Sequence, residues 1–196
     1  MPALALVNRA AKGLKAHCFN VDHRRGGALA AQALLDHGHR RVAVVGGPAT
    51  APDSVQRIDA FLDTFAAAGI DPAKIPVAEG DFTAESGRTA MHRLLDKSPR
   101  LTGVFCANDQ MAMGVLNALR TAGLSVPADV SVVGYDDAEL AAFLTPPLTT
   151  VHIAIDDMGR NACRLLLSTC YGLDVPVLRD FPPSLVLRES LARARR

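Results

Sequence analysis

The stretch Val104–Asp137 constrains the fold more than any other part of the chain. Its first strand belongs to the apolar run Gly103–Ala107, which is long enough to be buried. Asn108 follows as a helix-capping residue type, and apolar residues then recur at helical spacing. A second apolar run, Val130–Val133, stops at Gly134–Asp137. The pattern predicts a strand–helix–strand unit, in which the two strands must be parallel.

Two polar residues follow the two strands of this unit. Asn108 comes directly after the first strand, and Asp136 comes just after the second. The carboxyl ends of parallel strands lie at one edge of a sheet, and open α/β sheets bind their ligands there. We therefore expect Asn108 and Asp136 to belong to one binding site.

The segments Ala107–Ala112 and Pro127–Asp137 closely resemble the effector-binding region of LacI/GalR-family transcription regulators. Further matches extend along nearly the whole chain, for example Pro146–Thr150 and Pro182–Arg188. The resemblance implies an α/β fold of the periplasmic-binding-protein-like type I. This fold has two Rossmann-like parallel-sheet lobes with an effector cleft between them. Members of the family begin with a helix-turn-helix domain, and no part of this sequence corresponds to it.

The resemblance also predicts how the chain is divided. Residues 39–151 and 179–190 are expected to form a complete C-terminal lobe. Residues 1–38 and 153–178 supply part of the N-terminal lobe, whose opening strands and helices we expect to be missing, and residues 191–196 form a tail.

Further site residues are implied by the family pattern. An arginine that contacts the effector stands at this spacing after Gly-Pro, which indicates Arg57. The family has an aromatic ring at the place of Phe82; the alternative is a ring that packs under the turn. Ile153 and Ile155 stand where some members carry a polar residue and an aromatic ring, which predicts a more apolar wall.

Three of these side chains have the donors and acceptors that a sugar requires. An ionised Asp136 accepts hydrogen bonds, Arg57 donates them from a rigid guanidinium, and Asn108 does both. Together they match adjacent hydroxyls of a monosaccharide or a derivative, while the Phe82 ring can cover an apolar face of the sugar. A purine or another small polar effector could use the same arginine and aspartate.

Charge and cysteine content limit other functions. The net charge is +1, from 21 Lys and Arg against 20 Asp and Glu, so there is no general electrostatic reason to bind nucleic acid. We expect operator DNA to be bound only through the missing N-terminal domain. The four cysteines, Cys18, Cys106, Cys163 and Cys170, form no CxxC motif, which predicts a reduced cytosolic chain with buried thiols.

The sequence favours a binding protein over an enzyme, and it indicates neither a cofactor nor a metal. Asp136 and Asp137 are adjacent in an extended backbone, so their side chains should point to opposite faces and cannot act as a glycosidase pair. His37 and His39 have no carboxylate or thiol partner at ligand spacing. The apolar start Met1–Val7 is too short to span a membrane and is a poor signal peptide.

We therefore expect the effector-sensing and dimerisation region of a LacI-type regulator that acts in the cytoplasm without its own DNA-binding head. The resemblance implies a homodimer that pairs through helices near residues 84–97 and 109–121 of the C-terminal lobe. Two alternatives are a periplasmic-type sugar-binding protein of a transport system and a truncated remnant that binds nothing.

Overall fold

The computed structural model describes residues 3–9, 11–98 and 100–195. In chain order the elements are β1 Leu6–Val7, β2 Cys18–Phe19, α1 His23–Asp36, β3 Val42–Gly46, α2 Pro52–Ala67, β4 Val77–Glu79, α3 Ala84–Lys97, β5 Gly103–Cys106, α4 Asp109–Thr121, β6 Ser131–Asp136, β7 Thr149–His152, α5 Ile155–Tyr171 and β8 Ser184–Val186. Short 3₁₀ turns lie at Lys15–His17, Pro72–Lys74 and Glu139–Phe143. No helix in the described ranges is both long and apolar enough to cross a membrane.

The chain forms two compact units. The larger comprises His23–His152 and the chain from Ser184 onward, and the smaller comprises the chain up to Asp22 together with Ile153–Pro183. The family resemblance predicts that residues 1–38 belong to the N-terminal lobe, whereas α1 belongs to the larger unit. The reason is that α1 packs along α2 and against the large sheet, where its Leu34 side chain lies close to Gly103.

The larger unit is built on a six-stranded sheet in the order β4-β3-β5-β6-β7-β8. The first five strands are parallel, as the sequence predicts, and β8 is an antiparallel edge strand beside β7. Antiparallel edge strands are common on otherwise parallel sheets. The predicted strand–helix–strand unit is present as β5-α4-β6.

Helices cover both faces of this sheet. On one face Phe61 of α2 stacks on Phe65 and on Phe105 of β5, with ring centroids 4.9 and 5.0 Å apart. On the other face α3 and α4 bury a cluster that includes Met91 and Met111. With both faces covered, the polar groups that a ligand could reach are concentrated at the ends of the strands.

One strand is longer than its apolar run suggests. The predicted run stops at Val133, but β6 continues because Gly134, Tyr135 and Asp136 pair with Thr150, Val151 and His152 of β7. Asp136 is therefore the last residue of β6 and lies at the carboxyl edge of the sheet.

The smaller unit contains the parallel pair β1–β2 and helix α5, which ends at Gly172 in the left-handed conformation (φ 66°). The expectation of buried thiols is wrong here, because Cys163 and Cys170 are exposed on α5 and Cys18 is half-buried. The buried residues of α5 form a narrow stripe that includes Met158 and Ala162, and both cysteines lie outside it. Only Cys106 of β5 is fully buried, and burial raises the pKa of its thiol.

Candidate functional site

The centre of the site is the guanidinium of Arg57, on the second turn of α2. Its side chain is only 5% exposed. Nη1 donates to the carbonyl of Ala107 at 2.5 Å and lies 3.8 Å from Oδ1 of Asp136. The guanidinium carbon lies 3.9 Å from the centroid of the Tyr135 ring, in cation–π geometry. The structure therefore brings Arg57 and Asp136 together.

A further partner of Arg57 comes from α1, and no sequence motif indicated it. Nε of Arg57 donates to Nδ1 of His23 at 3.2 Å. The hydroxyl of Tyr135 lies 3.1 Å from the same nitrogen, and Nε2 of His23 lies 3.5 Å from the carboxylate of Asp53. His23 is buried, so α1 supplies one wall of the arginine's environment.

The sequence feature that points to this contact is the glycine pair Gly26–Gly27 in α1. A Cβ on Gly27 would lie 2.1 Å from the carbonyl oxygen of Arg57, and one on Gly26 would lie 2.5 Å from the hydroxyl oxygen of Tyr135. Any larger residue would separate α1 from α2 and β6. The pair therefore permits the close approach that brings His23 to Arg57.

Asp136 occupies an unusual backbone and electrostatic environment. Its φ is 111°, a region that residues with a side chain rarely adopt, and Asp137 and Phe82 also have positive φ, at 58° and 70°. Strain of this kind is concentrated at functional sites. Burial raises the pKa of Asp136 to about 7, Arg57 acts in the opposite direction, and the charge of Asp109 raises it further.

Asn108 and Phe82 lie beside each other in the same unit. Oδ1 of Asn108 caps α4 by accepting from the backbone N–H of Met111 at 2.9 Å, and its Nδ2 donates to the carbonyl of Phe82 at 3.0 Å. The Phe82 ring lies against Gly47, where a Cβ would be 2.2 Å from the ring. The local geometry of Phe82 thus corresponds to the alternative in which the ring packs under a turn.

The remaining predicted residues, Ile153 and Ile155, belong to the smaller unit. Ile153 is buried, and Ile155 is an exposed residue at the first position of α5.

The three acidic residues near the end of β6 have separate partners. Asp109 is buried and accepts hydrogen bonds from Thr150 Oγ1 at 2.6 Å and from the backbone N–H of Ala138 at 2.8 Å. Burial raises its pKa to about 6. Asp137 pairs with Nη2 of Arg188 at 2.6 Å, whereas Asp136 faces Arg57. Asp136 and Asp137 therefore have different partners, although the positive φ of both residues shows that the backbone here is not extended as the sequence suggested.

Comparison with known proteins places this arrangement in a family. The family model described as "periplasmic binding protein-like domain" matches residues 31–191. The regulator CelR of Thermobifida fusca is 40% identical over 172 residues, which are 87% of this chain and 51% of that protein. A LacI-family transcriptional regulator from Burkholderia phymatum is 46% identical with a TM-score of 0.95, covering 98% of this chain and 70% of the other. A LacI-family regulator from Enterococcus faecium, solved with bound ribose, is 28% identical with a TM-score of 0.86, covering 97% and 72%.

These matches define the class as a periplasmic binding protein-like domain. The chain belongs to this family, and its relatives are LacI-family transcriptional regulators. It spans about half the length of the curated relatives that it matches.

Proposed function

We propose that the chain senses a small polyhydroxylated effector, a monosaccharide or a derivative, as the effector-binding region of a LacI-type regulator. The observation that carries the proposal is the contact between Arg57 and Asp136 at the carboxyl edge of the large sheet. Arg57 offers a donor and Asp136 an acceptor, which adjacent sugar hydroxyls can bind together. The ribose bound to the Enterococcus faecium relative supports a sugar as the effector class.

Phe82, Asn108, Ile153 and Ile155 complete the proposed contact set. Both polar atoms of the Asn108 side chain already have partners in the protein, since Oδ1 caps α4 and Nδ2 donates to the carbonyl of Phe82. We therefore assign Asn108 mainly the role of keeping the Phe82 turn in place. Ile153 and Ile155 are kept in the set on the family resemblance alone.

A thermal-shift screen against monosaccharides, polyols, sugar phosphates and purines tests the proposal. A ligand at 100 times its dissociation constant adds about 2.7 kcal/mol, which corresponds to a rise of roughly 5–10 °C for a chain of this size. The shift should disappear in Asp136→Ala. It should persist in the control Asp63→Ala, because Asp63 is an exposed residue of α2 that pairs with Arg24.

The outcomes separate the candidate functions. A rise in melting temperature with one sugar that is lost in Asp136→Ala supports the proposal and identifies the effector. If a purine raises the melting temperature instead, purines replace sugars as the effector class. If no compound shifts the protein, the site is not a working sensor and the non-binding alternative holds.

The proposal extends to assembly. The resemblance implies a cytoplasmic homodimer that pairs through α3 and α4 of the larger unit. In such regulators operator DNA is bound by the helix-turn-helix domain, so we assign no DNA contact to residues 1–196.

A further inference from the structure

The guanidinium of Arg57 has two of its three nitrogens already engaged by the protein. Nε donates to Nδ1 of His23, and Nη1 donates to the carbonyl of Ala107. Nη2 has no hydrogen-bond partner among the residues that the structure describes. None of the described side chains has a fully buried polar atom without a partner, so Nη2 keeps some exposed surface.

This distribution decides what Arg57 can bind. An arginine grips a carboxylate or a phosphate through two parallel hydrogen bonds, from Nε with Nη2 or from Nη1 with Nη2. His23 accepts the single N–H of Nε, which removes the first pair. Nη1 keeps a second N–H beside the one that Ala107 accepts, but the carboxylate of Asp136 lies 3.8 Å from Nη1 and disfavours an anion at the second pair. The N–H groups that remain on Nη2 and Nη1 can each donate to a hydroxyl, which needs only a single donor.

The hydrogen bond from Nε of Arg57 also fixes which ring nitrogen of His23 carries the proton. Because Nε of Arg57 is always a donor, Nδ1 of His23 must be the unprotonated acceptor. The proton of the neutral ring is then on Nε2, which faces the carboxylate of Asp53 at 3.5 Å. The Tyr135 ring beneath the guanidinium and the Tyr135 hydroxyl beside Nδ1 restrict the same two side chains.

We infer that His23 is a specificity-determining positioning residue. By accepting from Nε, it orients Arg57 and removes the Nε–Nη2 pair, which selects an uncharged hydroxyl-bearing effector over an oxyanion. The inference deepens the proposed function and rests on it for the identity of the site. The carboxylate of Asp136, 3.8 Å from Nη1, disfavours an anion at the same place.

The first test needs no effector. In the ¹⁵N-labelled chain, the Arg57 Nε–H signal, assigned by its absence in Arg57→Lys, should exchange slowly with water. In His23→Ala the exchange should be about tenfold faster because the acceptor is gone. In His23→Asn it should stay slow, because the amide oxygen can take the place of Nδ1. Arg24→Ala, an exposed change on the same helix, is the matched control.

The second test measures selection, with inorganic phosphate as the probe. Wild type, His23→Asn and Arg24→Ala should bind phosphate weakly. His23→Ala should bind it roughly fivefold more tightly, because Nε and Nη2 become available as a pair. Any sugar found in the thermal-shift screen should bind about tenfold more weakly to His23→Ala and normally to His23→Asn.

The outcomes are distinct. Unchanged Nε–H exchange in His23→Ala would overturn the positioning role, and unchanged phosphate affinity would overturn the selection. Absence of any sugar response would refute the proposed function, while the exchange and phosphate measurements would still decide the role of His23.

Discussion

At the carboxyl end of β6, Asp136 combines a strained backbone with a partly buried carboxylate. Asp136 has a positive φ of 111° and a pKa raised to about 7, mainly by burial. The nearby positive charge of Arg57 stabilises the ionised form but does not cancel the effect of burial. Near neutral pH this side chain can therefore act as an acceptor when ionised or as a donor when protonated.

The raised pKa of Asp136 predicts a pH-dependent stability. The folded state binds the proton more tightly than the unfolded state, so this contribution is complete below about pH 4 and is lost as the pH rises through about 7. Asp136 should make the free energy of unfolding of the wild type lower at pH 8 than at pH 5. In Asp136→Asn this contribution is lost, and the change between the two pH values should be smaller by on the order of 1 kcal/mol. The effect is this modest because the side chain is 35% exposed and partly screened by solvent. Urea unfolding at the two pH values measures this.

Asp63→Asn should leave the difference between the two pH values unchanged, because Asp63 is exposed on α2. A similar difference in wild type and Asp136→Asn would show that Asp136 does not titrate in this range. Asp109, whose pKa is about 6, remains in both proteins and contributes to the residual pH dependence.

At the scale of elements, the approach of α1 to α2 depends on Gly27, and its approach to β6 depends on Gly26. Gly27 lies in the helix, and its missing Cβ leaves room for the carbonyl of Arg57. Backbone atoms cannot move aside as a flexible side chain can, so a substitution here must displace one helix. The alignment of His23 with Arg57 would change with it.

Gly27→Ala should therefore destabilise the fold by about 2–3 kcal/mol, because the new Cβ would lie 2.1 Å from a backbone oxygen. Gly159→Ala is the matched control, since Gly159 lies in helix α5 with no atom within 4 Å of an added Cβ. The control should gain roughly 0.5–1 kcal/mol from improved helix propensity. Chemical unfolding compares the two, and equal effects at both glycines would disprove the close-packing argument.

These elements show how far a single sequence predicts this structure. The unit β5-α4-β6 and the cap by Asn108 were predictable, because apolar spacing and capping chemistry are local properties. The position of Asp136 followed from the parallel-strand rule, and that of Arg57 from the family pattern. His23 was not predictable in this way, because its contact with Arg57 depends on how closely two helices pack. The ring of Phe82 could not be assigned either, because it depends on the space left by Gly47.

At the scale of the whole molecule, the larger unit has an exposed apolar surface beside α4. Phe143 is 75% exposed, and Leu140 of the same 3₁₀ turn is also exposed. The backbone N–H of Ala138, directly before this turn, donates to the carboxylate of Asp109 at the start of α4, which places the turn beside that end of the helix. Large exposed aromatic residues are enriched at the centres of protein interfaces. This surface is therefore consistent with the proposed pairing through α3 and α4.

The proposed homodimer can be tested at Phe143. Wild type should be a dimer by light scattering at tens of micromolar protein. Phe143→Asp should be a folded monomer, because a carboxylate buried at the interface has no partner and two copies would face each other. Leu187→Asp is the matched control, since Leu187 is a similarly exposed apolar residue of the larger unit and should leave the dimer intact. A monomeric wild type would contradict the pairing, and a dimeric Phe143→Asp would place the interface elsewhere on the unit.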